Sequence, residues 1–495
     1  MESDISTVEP GAGSSDASLD FDPGAMRRAG YQVIDWIVSR IENLRASDLE
    51  RELTREQTES LLREPMPEEP CNLDDVFEAY RTKVAPNSIA LDHPRFFAFV
   101  PSAPTFVSVL ADALAAGTNV FAGTWLESSG PSQVELIVID WFKQMLGLPQ
   151  EAAGLLVSGG SIGTLTALAV ARRSVLSDET DGACVYLSDQ AHASIDRALH
   201  LLGIRPGQIR HLPTDGRCKM KTAELARCIQ DDYSKGLRPF AVVASAGTTN
   251  TGAVDPLSEI AEVARENALW FHVDAAYGGF AALTDRGRRL LAGIDRADSV
   301  VLDPHKWFYC AFEAGCVLVR KGHLMRETFR ILPEYMLDAA RQDREVNFCD
   351  YGPQLSRSFR ALKIWMTVKT YGARRLRATI DRCLDLAEYA ARMFELSPHL
   401  ALLTRPELGV FTFRYLPEII PADPERAEQR LARVNERLVA RIVSSGRLML
   451  SSTRLDGRYV LRFCVLNHRT RKEDVAEALR LIEEFGKEAE ESTEH

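Results

Sequence analysis

Ser299-Val300-Val301-Leu302-Asp303-Pro304-His305-Lys306-Trp307 runs from a short apolar stretch into a turn bearing a carboxylate, a histidine and a lysine. The apolar part is too short for a helix and reads as a buried strand. A lysine at its end, followed by Trp307, Phe308 and Tyr309, sits in apolar company. Burial disfavours the ammonium form, so a lowered pKa is expected; such a lysine attacks carbonyls and holds a Schiff base. Taken alone, a lysine on a loop reads equally as a solvated residue.

Working outward, similar strand-like runs recur at 154–157, 183–187, 240–244, 269–273 and 315–319, many of them separated by helical patterns. Short strands alternating with helices predict an α/β domain built on a mostly parallel sheet. In such sheets ligands bind beyond the carboxyl ends of the strands. Thr249, Asp274 and Lys306 all follow strand ends and are therefore expected along one edge. A carboxylate ending an apolar run, as Asp274 does, needs a partner, because a bare buried charge costs several kcal/mol. A helix cap or an ion pair would satisfy it, and so would a protonated ring nitrogen.

Leu156-Val157-Ser158-Gly159-Gly160-Ser161 leads into a helical pattern over 162–174. Glycines before a helix N-terminus let backbone N–H groups face an anion. The glycine spacing is neither that of a P-loop nor that of a dinucleotide fold. His192, in Ser188-Asp189-Gln190-Ala191-His192, also follows an apolar run; it reads as a structural histidine or as a ring lying flat on a cofactor.

The chain has 495 residues, 45% apolar and 26% charged, with a net charge of −11. That length predicts more than one domain. The expected division is a disordered acidic tail (1–22), an N-terminal helical segment (23–105), a large α/β domain (106–360) and a small C-terminal α+β domain (361–495). The negative charge and the lack of a basic run argue against nucleic acid and anionic membrane as partners. The most apolar stretch, 96–111, is broken by Pro101 and Pro104, so no membrane span is expected. Nine irregularly spaced cysteines without a zinc pattern predict reduced thiols, a cytoplasmic location and no metal site.

These motifs resemble the group II pyridoxal-phosphate-dependent decarboxylases of the aromatic-L-amino-acid decarboxylase type. The matching segments are Ser188 to His192, His272-Val273-Asp274-Ala275-Ala276-Tyr277 and Pro304-His305-Lys306-Trp307. Lesser matches are Asp140-Trp141-Phe142, Phe359 to Trp365 and Leu461-Arg462-Phe463, so the resemblance covers about residues 25–485. It implies a fold type I enzyme: a seven-stranded, mostly parallel sheet domain, an N-terminal arm embracing a partner in a homodimer, and a small C-terminal domain.

The resemblance also implies pyridoxal 5'-phosphate on Lys306, Asp274 against its ring nitrogen and His192 stacked on the ring. The phosphate is expected near Gly160 and Ser161, with Thr249, Asp303 and His305 close by. Tyr335, in Ile331-Leu332-Pro333-Glu334-Tyr335-Met336-Leu337, matches a tyrosine on a mobile loop that protonates the substrate carbon. Phe99, Pro101, Ser102, Phe121 and Ser356 are expected to contact substrate, Ser102 near its carboxylate. The implied reaction is decarboxylation of an aromatic L-amino acid to its amine. Decarboxylation of an acidic amino acid, aldehyde synthesis and non-catalytic cofactor binding are the alternatives. The chain departs from the pattern at Asp303, where many relatives carry asparagine, and at Leu91 and Gly123, where animal relatives place tryptophan and phenylalanine. Phe121 is the residue able to compensate at Gly123.

Overall fold

Seven runs of mainly apolar residues hydrogen-bond into one sheet in the computed structural model, which describes residues 19–49, 53–177, 179–331 and 345–492. In chain order they are β1 (Ala153–Val157), β2 (Ala183–Ser188), β3 (Ile209–Leu212), β4 (Arg238–Ser245), β5 (Trp270–Asp274), β6 (Ser299–Leu302) and β7 (Gly315–Val319). Their spatial order is β1-β7-β6-β5-β4-β2-β3. The strands from β6 to β3 in that order pair in parallel, whereas β7 is antiparallel to both of its neighbours. β1 therefore points the same way as β6, and all strands except β7 end on one edge. Every residue of β2, β6 and β7 is buried, as a sheet covered by helices on both faces requires.

A second sheet is antiparallel, in the order β10-β11-β9-β8. Its strands are β8 (Leu400–Thr404), β9 (Val410–Tyr415), β10 (Ser451–Leu455) and β11 (Arg458–Cys464). Phe394, Phe411, Phe413 and Phe463 pack edge-on, tilted or stacked in its core. Phe97, from the N-terminal segment, stacks on Phe463 with centroids 4.1 Å apart. Phe97 N–H donates to Met449 O, and Cys464 N–H donates to Phe97 O. The stretch before Pro101 is thus anchored to the small sheet, and this anchorage determines where Phe99 sits.

The helix expected over 162–174 spans Gly160–Leu176, and further helices span Pro23–Asn43, Trp125–Leu146, Leu257–Glu266 and Lys472–Glu491. An α-helix at Leu73–Ala79 relaxes into a π turn over Tyr80–Val84. The long Ala361–Leu396 helix breaks at Gly372, whose φ of 71° and ψ of 153° are open to glycine alone at little cost. β3, β8 and β10 were not expected. Each is an edge strand, with polar residues such as Arg210, His211, Ser452 and Arg454 diluting its apolar signal. Among the described residues no helix is long and apolar enough to cross a membrane. All nine cysteines carry free thiols.

Candidate active site

Strand register brings the polar groups together. Asp274, the last residue of β5, pairs across to Ser245 on β4 and to Val301 on β6. The chain then leaves β4 through Gly247-Thr248-Thr249 and β6 through Asp303 to Lys306. β1 ends level with Gly315 and runs through Ser158-Gly159 into the Gly160–Leu176 helix. A cavity of about 330 Å³ opens at this edge, and its lining includes Gly160, Ser161, His192, Thr249, Asp274, Asp303, His305 and Lys306. Thus every residue expected to touch the cofactor lines one cavity.

Lys306 Nζ lies 2.9 Å from Asp303 Oδ2. Burial pulls the lysine pKa down, but the nearby Asp303 and Asp274 carboxylates outweigh it, and the net shift is upward. The expectation of a lowered pKa is corrected: in this cavity two anions stabilise the ammonium more than desolvation destabilises it. Asp303 itself is 2% exposed, and its Oδ1 is buried with no hydrogen-bond partner. Asp274 Oδ1 accepts from Ala276 N–H at 3.1 Å. His305 Nδ1 accepts from Ala314 N–H at 3.2 Å, so in the neutral ring the proton resides on Nε2, 3.6 Å from Asp303 Oδ2. Burial, reinforced by Lys306, lowers the His305 pKa despite the adjacent Asp303. His192 is the N-cap of the Ala193–Leu201 helix; its Nδ1 is 2.7 Å from Ser194 Oγ, which fixes the ring's orientation at the cavity. The structural and the cofactor-facing readings of His192 are therefore compatible.

Gly159 and Gly160 form a cradle at the start of a 17-residue helix, with no side chain capping the first turn. A Cβ on Gly160 would stand 3.1 Å from both Asp303 Oδ2 and Ala276 Cβ, and one on Gly159 would stand 3.2 Å from His305 Cε1. Uncapped N–H donors at the positive end of a helix are a seat for a phosphate. Behind the lysine, Trp307 stacks on Tyr277 at 5.4 Å, and the Tyr277 hydroxyl accepts from Gly409 N–H at 2.7 Å. The cofactor edge is thereby tied to the small sheet.

The residues expected at the substrate are less convergent. Ser102 is buried and its hydroxyl donates to the Lys306 carbonyl, so that donor supports the lysine turn instead of facing a substrate carboxylate. Phe99 is 56% exposed, with a left-handed φ of 49°. Phe121 packs over Gly123, where an added Cβ would lie 2.3 Å from its ring; its ring fills the space that a larger side chain at 123 would take. Pro101 is half-buried and Ser356 exposed, and neither lines the cavity. Tyr335 lies outside the described residues. Glu313 also lines the cavity; it lies two residues before β7, outside any motif, and only the fold brings it there.

Residues 55–416 match the family model described as the pyridoxal-dependent decarboxylase conserved domain. The chain belongs to the pyridoxal-dependent decarboxylase family. It is 38% identical to an aromatic-L-amino-acid decarboxylase of Bacillus atrophaeus over 95% of this chain and 97% of that protein. It is 30% identical to a phenylacetaldehyde synthase of Arabidopsis thaliana over 95% and 98% of the two chains. Its fold matches the crystal structure of Oryza sativa TDC with PLP and tryptamine, with a TM-score of 0.88 and 28% identity over 94% and 99% of the chains. The site of this pyridoxal-dependent decarboxylase fits the family's cofactor. An amine pairs with one oxygen of a carboxylate whose other oxygen has no partner among the described residues, a second carboxylate ends β5, and a glycine cradle faces the same cavity.

Proposed function

We propose that this protein removes the α-carboxyl group of an L-amino acid with an aromatic side chain, releasing the amine and CO2. The observation that carries the reading is the convergence of Lys306, Asp274 and His192 on one cavity beside the Gly159-Gly160 helix start. When bound, pyridoxal phosphate supplies an electron sink for the bond that breaks.

The chain's own groups have separable roles. The N–H groups of Gly160 and Ser161 would hold the phosphate. Asp274 would face the ring nitrogen, and its negative charge favours a proton there. Lys306 Nζ would hold the aldehyde carbon, and His192, oriented by Ser194, would cover the ring. Tyr335 is the proposed donor of the proton to the substrate Cα. Among the described residues no arginine lines the cavity, which disfavours an acidic substrate. Exposed Phe99, together with Phe312 beside His305 at 4.8 Å, supports an aromatic one. The proposed Tyr335 proton donor favours amine over aldehyde as product.

The proposal extends to a cytoplasmic homodimer. The exposed Met26, Tyr31, Val33 and Val38 of the Pro23–Asn43 helix support association, and the nine free thiols agree with a reducing compartment. The division into a cofactor-binding unit (106–360) and a small unit (361–495) is proposed on the two sheets.

A panel of L-amino acids scored for CO2 release tests the reading, with Lys306→Ala as control. Release from aromatic substrates, abolished in the variant, is expected. Release from none of them, or undiminished release by Lys306→Ala, would refute it.

A further inference from the structure

Arg462, on β11, is 3% exposed. Among the described residues, buried Lys143, Arg357, Arg360, Lys363 and Arg414 each have a carboxylate within 4.0 Å. Arg462 has none within that distance. Its guanidinium is met by neutral oxygens only. Nε donates to Asn250 O at 3.0 Å and one terminal nitrogen to Ser451 Oγ at 2.7 Å. The other donates to Phe99 O at 3.4 Å and to Thr249 O. Burial, barely offset by any charge, holds the guanidinium below its usual pKa.

A buried cation without a counter-ion is costly, and a purely structural role would be filled more cheaply by a neutral or apolar residue. What this guanidinium does is join three segments with no covalent connection nearby. Thr249 lines the cofactor cavity. Phe99 is a candidate substrate contact held in a left-handed conformation that disfavours a bulky side chain. Ser451 belongs to the small sheet and accepts Phe99 N–H at 3.2 Å. The planar, multi-donor fork of arginine reaches all three at once, which a lysine's single nitrogen cannot. Asn250 carries the connection on: its side chain donates to Gln190 Oε1 at 3.1 Å, two residues before His192. Titratable groups of the cavity lining are Asp274, Asp303 and Glu313 against Lys306, with two histidines and Tyr277.

We infer that Arg462 is the positioning residue that locks the small sheet onto the cofactor edge, holding Phe99 and Thr249 in register so that substrate and cofactor meet a preformed pocket. The inference deepens the decarboxylase reading and rests on it for the substrate measurement alone.

The test uses Arg462→Lys in the full-length enzyme. Cofactor-free protein is titrated with pyridoxal phosphate by fluorescence, and KM and kcat are measured on an aromatic amino acid that the unaltered enzyme turns over. The expected result is a KM raised about tenfold or more, with kcat changed less than about threefold, and a weaker cofactor Kd. KM and Kd both within about twofold of the unaltered enzyme would reduce Arg462 to a structural tie and overturn the inference. Should Arg462→Lys not fold, Ser451→Ala removes one acceptor and the Phe99 N–H partner while leaving the cation. KM raised about threefold is then expected, and an unchanged KM overturns the inference. If the unaltered enzyme releases CO2 from no amino acid, the functional reading fails, and the cofactor titration still decides the role of Arg462.

Discussion

The carboxylate of Asp303 approaches Lys306 Nζ to 2.9 Å from one side while resting against the Gly159-Gly160 cradle on the other. One buried anion therefore touches both the amine that would hold the cofactor and the proposed seat of its phosphate. The two neighbours make opposite demands: the ammonium favours the negative charge and a phosphate opposes it.

Replacing that anion separates the two effects. In Asp303→Asn the Lys306 pKa falls, because one of the two carboxylates that raise it is gone. The rate of cofactor capture, followed by absorbance after mixing, should then reach its plateau at lower pH than in the unaltered enzyme. Affinity at neutral pH should rise about tenfold as phosphate repulsion is relieved. A superimposable pH–rate profile would show that Asp303 does not govern the lysine.

The cradle has its own test. A Cβ in Gly160→Ala meets two atoms at 3.1 Å, one of them the Asp303 carboxylate. The helix gains an alanine in its first turn, so stability should hold within about 1 kcal/mol. The cofactor Kd should nevertheless rise about tenfold or more, because the added methyl displaces the N–H groups that face the phosphate. Equilibrium dialysis with pyridoxal phosphate reads this directly.

Arg357 and Glu135 form a fully buried pair at 2.5 Å that also grips Leu156 O and N–H and Ala122 O. Arg357→Met leaves the Glu135 carboxylate buried alone and should cost about 3–5 kcal/mol in urea unfolding. Adding Glu135→Gln should recover at least about half of that loss, since an amide is far cheaper to bury than a charge. Equal stability of the single and double variants would show that the stranded charge is not the cause.

Acid should destabilise the fold through buried histidines. Burial lowers His93 and His272 to about 4 and His468 to about 3. Unfolded, each titrates near 6.5, so below that pH the unfolded chain binds more protons and stability falls as pH drops towards 4. Asp255 acts oppositely: burial raises it to about 6, so between there and its unfolded value near 3.9 the native state holds the extra proton. His305, also lowered by burial, adds to the three histidines, and Asp112, Asp298 and Asp350, also raised by burial, add to Asp255. Between about pH 6.5 and 5 the histidines outweigh the carboxyls, so stability falls over that range. Urea midpoints across it measure the fall, and a flat profile would contradict the burial of these rings.

Tyr335→Phe should divert product from amine towards aldehyde, with dioxygen consumed and peroxide formed. Quantifying amine and aldehyde from one aromatic substrate checks this. An unchanged amine yield without aldehyde would remove Tyr335 from the proton transfer.

Much of the site was legible in the chain because short apolar runs ending in Thr249, Asp274 and Lys306 obey the rule that parallel strands present their carboxyl ends on one edge. The pocket walls were less legible. Phe99 is set by Phe97 stacking on Phe463, more than 360 residues away in sequence, and nothing local to either residue announces that contact. Ser102 read as a substrate contact until its hydroxyl was found on the Lys306 carbonyl.

The central strands, their shared edge and the nature of the cofactor chemistry were determined by local pattern and motif, since periodicity and residue type act over a few positions. The charge state of Lys306, the grip of Arg462 on three segments and the filling of the space over Gly123 by Phe121 were decided only by tertiary structure. Electrostatic fields and packing depend on distances between residues far apart in the chain, and those distances exist only once the two sheets have closed on each other.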